Sequence, residues 1–110
     1  MTAHKVQTLS VQELKKRRDA NPKLCIIDVR EQEEWVQERI PGAVHIPKDQ
    51  LIEHIAAVVP DKNHPIYLHC RGGVRSLQAG QYLLGAGYQT VFSVDGGIVA
   101  WEQSGYPIEK

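Results

Sequence analysis

Ile66-Tyr67-Leu68-His69-Cys70-Arg71-Gly72-Gly73-Val74-Arg75-Ser76 runs from an apolar stretch, through a cysteine, into a loop holding two glycines and two arginines. Ile66 to His69 reads as a short strand. Leu77, Leu83 and Leu84 then mark a helix closed at Gly85 or Gly87. A strand feeding a helix through a tight loop is part of a βαβ pattern, and it leaves Cys70 at the strand's carboxyl end. Open parallel sheets bind ligands at those ends.

The alternation continues in both directions. Val6 to Leu9 alternates like a strand, and Ser10 with Glu13 forms a capping-box pattern. The helix that starts there should bury Val11, Leu14 and Ala20 and end before Asn21-Pro22. Leu24 to Val29 is a nearly unbroken apolar run, too short for a helix, and reads as a strand buried on both faces. Glu31 to Arg39 reads as a short helix around Trp35 and Val36. Val44 to Pro47 is a short strand, and Leu51, Ile52, Ile55, Ala56, Val58 and Val59 give a helix with one apolar face. Val91 to Val94 is the last strand; Asp95-Gly96-Gly97 turns into a helix with Ile98 and Trp101. The expected fold is α/β: a mostly parallel central sheet with helices on both faces, residues 1–110 forming one domain.

Composition agrees with a globular chain. The 110 residues are 42% hydrophobic and 24% charged, which is unlike a disordered segment. Thirteen basic residues balance thirteen acidic ones, so no electrostatic footprint of a nucleic-acid binder is present. No apolar run approaches the ~18 residues of a membrane span. The first residues lack the apolar core of a secretory signal. With two cysteines and no metal-ligand spacing, a reducing cytoplasm is the expected setting, and the chain reads as a whole protein or as a domain trimmed from a larger one.

The chemistry gathers on Cys70. Amides of Arg71 to Ser76 can curl round one point, the two glycines supplying positive φ where the curl needs it. The following helix adds its positive end, and Arg71 and Arg75 add full charges. No Asp or Glu occurs between Asp61 and Asp95 to cancel them. These terms favour a thiolate over a thiol, whose free pKa is ~8.5. The expectation is a nucleophilic Cys70 in an anion-binding cradle made by Arg71, Gly72, Gly73, Val74, Arg75 and Ser76.

Other candidates carry less. Cys25 lies in a buried strand and reads as core. His69 should point away from whatever Cys70 faces, and reads as a hydrogen-bonded structural residue. His4, His45, His54 and His64 show no metal spacing, so no metal site is assigned. Asp28 and Arg30 also stand at a strand's carboxyl end, where they could support the cradle as an ion pair or form a surface pair. Trp35 and Trp101 read as core or rim packing.

Three segments together resemble the rhodanese-like domain family of sulfurtransferases. Cys70 to Ser76 is similar to that family's active-site loop. Ile26-Ile27-Asp28-Val29-Arg30-Glu31, then Glu34-Trp35 and Ile40-Pro41-Gly42-Ala43-Val44-His45-Ile46-Pro47, is similar to its N-terminal signature. Val94-Asp95-Gly96-Gly97-Ile98, then Ala100-Trp101 and Gly105-Tyr106-Pro107, is similar to its C-terminal signature. The likeness covers nearly the whole chain and suits the single-domain branch.

The resemblance implies a five-stranded sheet and ping-pong sulfur transfer without a cofactor. Cys70 would take the outer sulfur of a small anionic donor such as thiosulfate, hold it as a persulfide, and pass it to a thiol or cyanide. A sulfur-carrier protein or a cysteine desulfurase are the protein partners it suggests. Arg75 is the better candidate for donor contact, with Arg71 at the rim. Two other readings stand beside this one. One is a persulfide-relay or interaction module. The other is a cysteine phosphatase or arsenate reductase, whose cradles place one residue more between cysteine and arginine.

Overall fold

The computed structural model describes residues 5–110, so His4 lies outside the described residues. Five strands, β1 (Gln7–Leu9), β2 (Ile26–Asp28), β3 (Val44–His45), β4 (Ile66–His69) and β5 (Val91–Val94), form one sheet in the order β1-β5-β4-β2-β3. Every neighbouring pair is parallel. Parallel neighbours need long crossovers. Here helices fill them: α1 (Val11–Ala20), α2 (Gln32–Gln37), α3 (Leu51–Val58) and α4 (Val74–Gly85), with α5 (Gly97–Gln103) after the last strand.

Alternation along the strands divides the core in two. Ile27, Val29, Leu68, Cys70 and Val91 pack with Leu51 and Ile55 of α3 and with Ala79 and Leu83 of α4. Leu9, Ile26, Tyr67 and Val94 pack on the other face with Val11 and Leu14 of α1 and with Ile98 and Trp101 of α5. Trp101 is fully buried and donates its indole N–H to the Pro107 carbonyl at 2.7 Å, which removes the penalty of an unpaired donor.

Several expectations change at this level. The strand expected from Leu24 is Ile26–Asp28, buried throughout. Ser10 caps α1 through the Glu13 amide at 3.1 Å, but the Glu13 carboxylate turns to Arg17 instead of closing the box. Ala20, expected inside, is exposed at the end of α1. In α3 only Leu51 and Ile55 are buried, while Ile52 and Val58 face solvent. In α4 the buried stripe is Ser76, Ala79, Gly80 and Leu83, and Leu77 is exposed. Small residues on that stripe let α4 lie close to the sheet, and hydrophobicity alone misses them.

The order of strands decides where a site can form. From β2 the chain moves outward to the edge strand β3, whereas from β4 it moves the opposite way to β5. The two connections diverge and open a crevice at the carboxyl ends of β2 and β4. Asp28 to Arg30 and Cys70 to Ser76 are the segments that leave those ends. No helix among the described residues is long and apolar enough to cross a membrane.

Candidate active site

Cys70 is buried, with 1% of its surface exposed, and its sulfur lies at the bottom of the loop. The Gly73 amide donates to Sγ at 3.1 Å, and the Ser76 hydroxyl lies 3.6 Å from Sγ. Gly73 is the residue before α4 and holds φ +115°, a conformation that glycine adopts without strain. Gly72 has no positive φ, so only one of the two loop glycines is needed for the turn itself.

Burial pushes the Cys70 thiol up, but the Ser76 hydroxyl and the amides of Ser76, Gly73 and Gly72 pull it further down. The net pKa lies below the ordinary thiol value. Cys25 behaves oppositely: burial raises it, and nothing offsets that. The two thiols are thus distinguished by what surrounds them, and Cys70 carries the thiolate character.

The Ser76 hydroxyl belongs to a small network. It lies 3.1 Å from the Gly73 carbonyl and 2.7 Å from Ser93 Oγ, with Ser76 and Ser93 both buried. Beside a protonated thiol, Ser76 donates to the carbonyl. Beside a thiolate, its one proton turns to sulfur and Ser93 donates to Ser76. The hint of this second serine in the sequence is a polar residue at an inward position of an apolar strand, Val91-Phe92-Ser93-Val94.

The arginines separate. Arg75 donates to both oxygens of Glu34, Nη1 to Oε1 at 2.7 Å and Nη2 to Oε2 at 3.0 Å. The sequence contains no carboxylate near the loop, but the fold brings one from α2. Arg75, the expected donor contact, has its fork filled by Glu34 in this structure. Arg71 is exposed and lines a cleft of about 370 Å³ between α2 and α5, together with Arg30, Glu34, Glu38 and Glu102. Val74 is exposed at the rim.

Asp28 and Arg30 form a buried ion pair. Arg30 Nε donates to both Asp28 oxygens at 3.0 Å, Nη2 donates to Oδ2 at 2.8 Å, and Nη2 also reaches the Glu38 carbonyl at 2.7 Å. The surface-pair alternative is therefore excluded. His69 is fully buried on the same face; its Nδ1 is 3.4 Å from the Cys70 carbonyl, and Nε2 has no hydrogen-bond partner, 3.7 Å from Asp28 Oδ2. Trp35 is half-buried and stacks on His45, whose Nε2 is 2.8 Å from the Arg30 carbonyl. Among the described residues, no three His, Cys, Asp or Glu side chains gather where a metal ion could be held.

The loop is also gripped from α5. Ile98 N–H donates to the Cys70 carbonyl at 2.9 Å and Val99 N–H to the Arg71 carbonyl at 3.3 Å. A Cβ on Gly97 would overlap the Cys70 carbonyl oxygen and lie 2.6 Å from that of Arg71. The C-terminal Asp-Gly-Gly segment thus packs backbone on backbone beneath the cysteine loop.

Comparison with known proteins gives the same picture. The family model for the rhodanese-like domain matches residues 10–104. The chain is 38% identical over 97 residues to the putative sulfurtransferase YtwF of Bacillus subtilis, covering 88% of this chain and 91% of that one. It is 41% identical over 70 residues to the thiosulfate sulfurtransferase PspE of Escherichia coli, covering 64% and 67%. A solved rhodanese-like domain protein from Staphylococcus aureus superposes with a TM-score of 0.81 at 33% identity, over 96% of this chain and all of that one. With its three signature segments meeting round Cys70, the chain belongs to the rhodanese-like domain family.

Proposed function

We propose that the chain is a sulfurtransferase that carries sulfane sulfur on Cys70. The observation that supports this most is the inward-pointing Gly73 amide, 3.1 Å from a thiol that the loop holds below its ordinary pKa. Relatives named as sulfurtransferases support the same reaction class.

In the first half-reaction the Cys70 thiolate attacks the outer sulfur of an anionic donor such as thiosulfate. The donor's S–S bond breaks, and sulfite leaves with the electron pair. In the second, a thiol or cyanide takes the terminal sulfur and Cys70 leaves as a thiolate. One difficult transfer becomes two easier ones. The amides of Gly72, Gly73 and Ser76 stabilise negative charge on whichever sulfur occupies the cradle. Arg71, exposed at the rim, steers anions towards it. A sulfur-carrier protein or a desulfurase is the protein-sized partner of the same chemistry. Cys25 precedes β2 and Cys70 follows its parallel neighbour β4, so the free thiols lie at opposite ends of the sheet and are not placed to pair with each other; a cytoplasmic setting is part of the same proposal.

The phosphatase reading loses support at Arg75, because a phosphate-binding arginine must face the cradle and this one grips Glu34. The deciding experiment is intact-protein mass spectrometry after treatment with thiosulfate. A gain of one sulfur that Cys70→Ser abolishes and Cys25→Ser keeps is the expected result. No gain with any sulfur donor would leave an interaction module.

A further inference from the structure

Ser93 pairs in register with Leu68 of β4, so its side chain falls on the sheet face that carries Leu68 and Cys70. It is 1% exposed, and among the described residues its hydroxyl has one hydrogen-bond partner, Ser76 Oγ at 2.7 Å. Burying a hydroxyl costs stability unless it is bonded. That single contact also fixes the direction: Ser76 Oγ is the acceptor within reach, so the Ser93 proton goes there. Ser76 has three neighbours for its own proton, the Gly73 carbonyl at 3.1 Å, Cys70 Sγ at 3.6 Å and Ser93. With Ser93 donating, the Ser76 proton is left for the carbonyl or the sulfur. Ser76 then donates more strongly, because a hydroxyl that accepts one bond is polarised by it.

We propose that Ser93 is a positioning residue for sulfur transfer: acting through Ser76 alone, it keeps the Ser76 proton free to follow the charge on Cys70 Sγ. The inference rests on sulfur transfer through Cys70. While Sγ is a thiolate, the Ser76 hydroxyl donates to it in a charge-assisted bond. In the persulfide the charge sits on the outer sulfur, and the Ser76 proton returns to the Gly73 carbonyl. The two serines thus stabilise Cys70 as a leaving group. In discharge to cyanide, the cyanide carbon attacks the outer sulfur and a C–S bond forms. The S–S bond breaks, its electron pair settles on Cys70 Sγ, and thiocyanate departs. The ionisable groups around Cys70 are Arg71, next to it in the chain, Arg75, which feels the charge on its sulfur, and His69, which meets its carbonyl with Asp28 behind it. Among the described residues, none of them hydrogen-bonds to Ser93.

Iodoacetamide rates against pH give the Cys70 midpoint, and Ser93→Ala should raise it. The double variant Ser76→Ala, Ser93→Ala should raise it no further than Ser76→Ala alone, because Ser93 acts only through that hydroxyl. Ser93→Thr restores a hydroxyl and should bring the midpoint back. Two single-turnover rates are then measured above the midpoint, where Cys70 is ionised. One is loading by thiosulfate; the other is discharge of the persulfide to cyanide, corrected for the ionised fraction of cyanide. For a midpoint raised by about one pH unit, loading in Ser93→Ala should quicken about threefold, because the more basic thiolate is the better nucleophile. Discharge should slow, because the same thiolate is the worse leaving group. A merely structural role for Ser93 would slow both. An unmoved midpoint in Ser93→Ala, shifts that add in the double variant, or two rates that fall together overturns the positioning role and leaves sulfur transfer intact. Failure of any donor to load Cys70 overturns both.

Discussion

Glu34 ties the N-terminal half of the fold to the cysteine loop: its two carboxylate oxygens hold Arg75 at 2.7 and 3.0 Å, and Oε1 also accepts the Glu31 amide at 3.0 Å. One side chain thus caps α2 and anchors the first turn of α4. The pair is only partly exposed, and the Arg75 guanidinium holds the Glu34 carboxyl down to about 2 from an ordinary 4.5.

Replacing Glu34 with Gln keeps a side chain able to cap the helix and removes the ion pair. The expected loss of stability at neutral pH is about 1 kcal/mol, discounted for solvent screening. The folded pKa lies below the unfolded one, so the pair's contribution is complete above about pH 4.5 and is lost as pH falls towards 2. Urea midpoints followed over that acid window should fall less steeply in Glu34→Gln than in the unaltered protein. Parallel slopes would mean that the pair contributes nothing to folding.

Ser76→Ala removes a hydroxyl that lowers the Cys70 pKa and leaves the loop backbone in place. Iodoacetamide rates against pH should give Cys70 a midpoint below that of an ordinary thiol, and the substitution should move it upward. Cys25 should titrate above an ordinary thiol, because burial raises it. An unchanged Cys70 midpoint in Ser76→Ala would assign the activation to the amides alone.

The glycines should not respond alike. A methyl group added at Gly72 would meet no atom within 4 Å, and its φ is not positive, so Gly72→Ala should change stability by less than about 0.5 kcal/mol. Gly73 at φ +115° should cost about 1–2 kcal/mol on the same change. Gly97→Ala must push the Cys70 and Arg71 carbonyls away, and should cost more than either while slowing Cys70 alkylation. Denaturant midpoints for the three variants check the ranking.

What could be read beforehand follows from distance along the chain. Cys70, Gly73 and Ser76 lie within one loop and its helix start, so the cradle was legible from local chemistry. Glu34 is 41 residues from Arg75, and Ser93 is 17 from Ser76. No local rule pairs them, although Glu34 sat within the signature and Ser93 interrupted an apolar strand. The parallel sheet was legible because strands and helices alternate; its strand order was not, because periodicity carries no information about neighbours. Leu77 reads as core by type, yet α4 turns Ala79 and Gly80 to the sheet instead, since a close helix leaves no room for larger side chains.

Asp28 carries the last prediction. Its carboxylate is fully buried and holds Arg30 through three donor contacts of 2.8 to 3.0 Å. Burial keeps His69 below its ordinary pKa, so it is neutral at pH 7, and among the described residues Arg30 is the cation paired with the carboxylate. Asp28→Asn leaves the guanidinium buried without a counter-charge and should cost about 3–5 kcal/mol. Replacing Arg30 with Met in the same chain removes that uncompensated charge, so the double variant should recover much of the loss, read as the denaturant midpoint. The double variant also frees the Glu38 carbonyl from Arg30 Nη2. A midpoint that stays low in the double variant would assign the loss to the missing Arg30 contacts with Asp28 and the Glu38 carbonyl, and not to an unpaired buried charge.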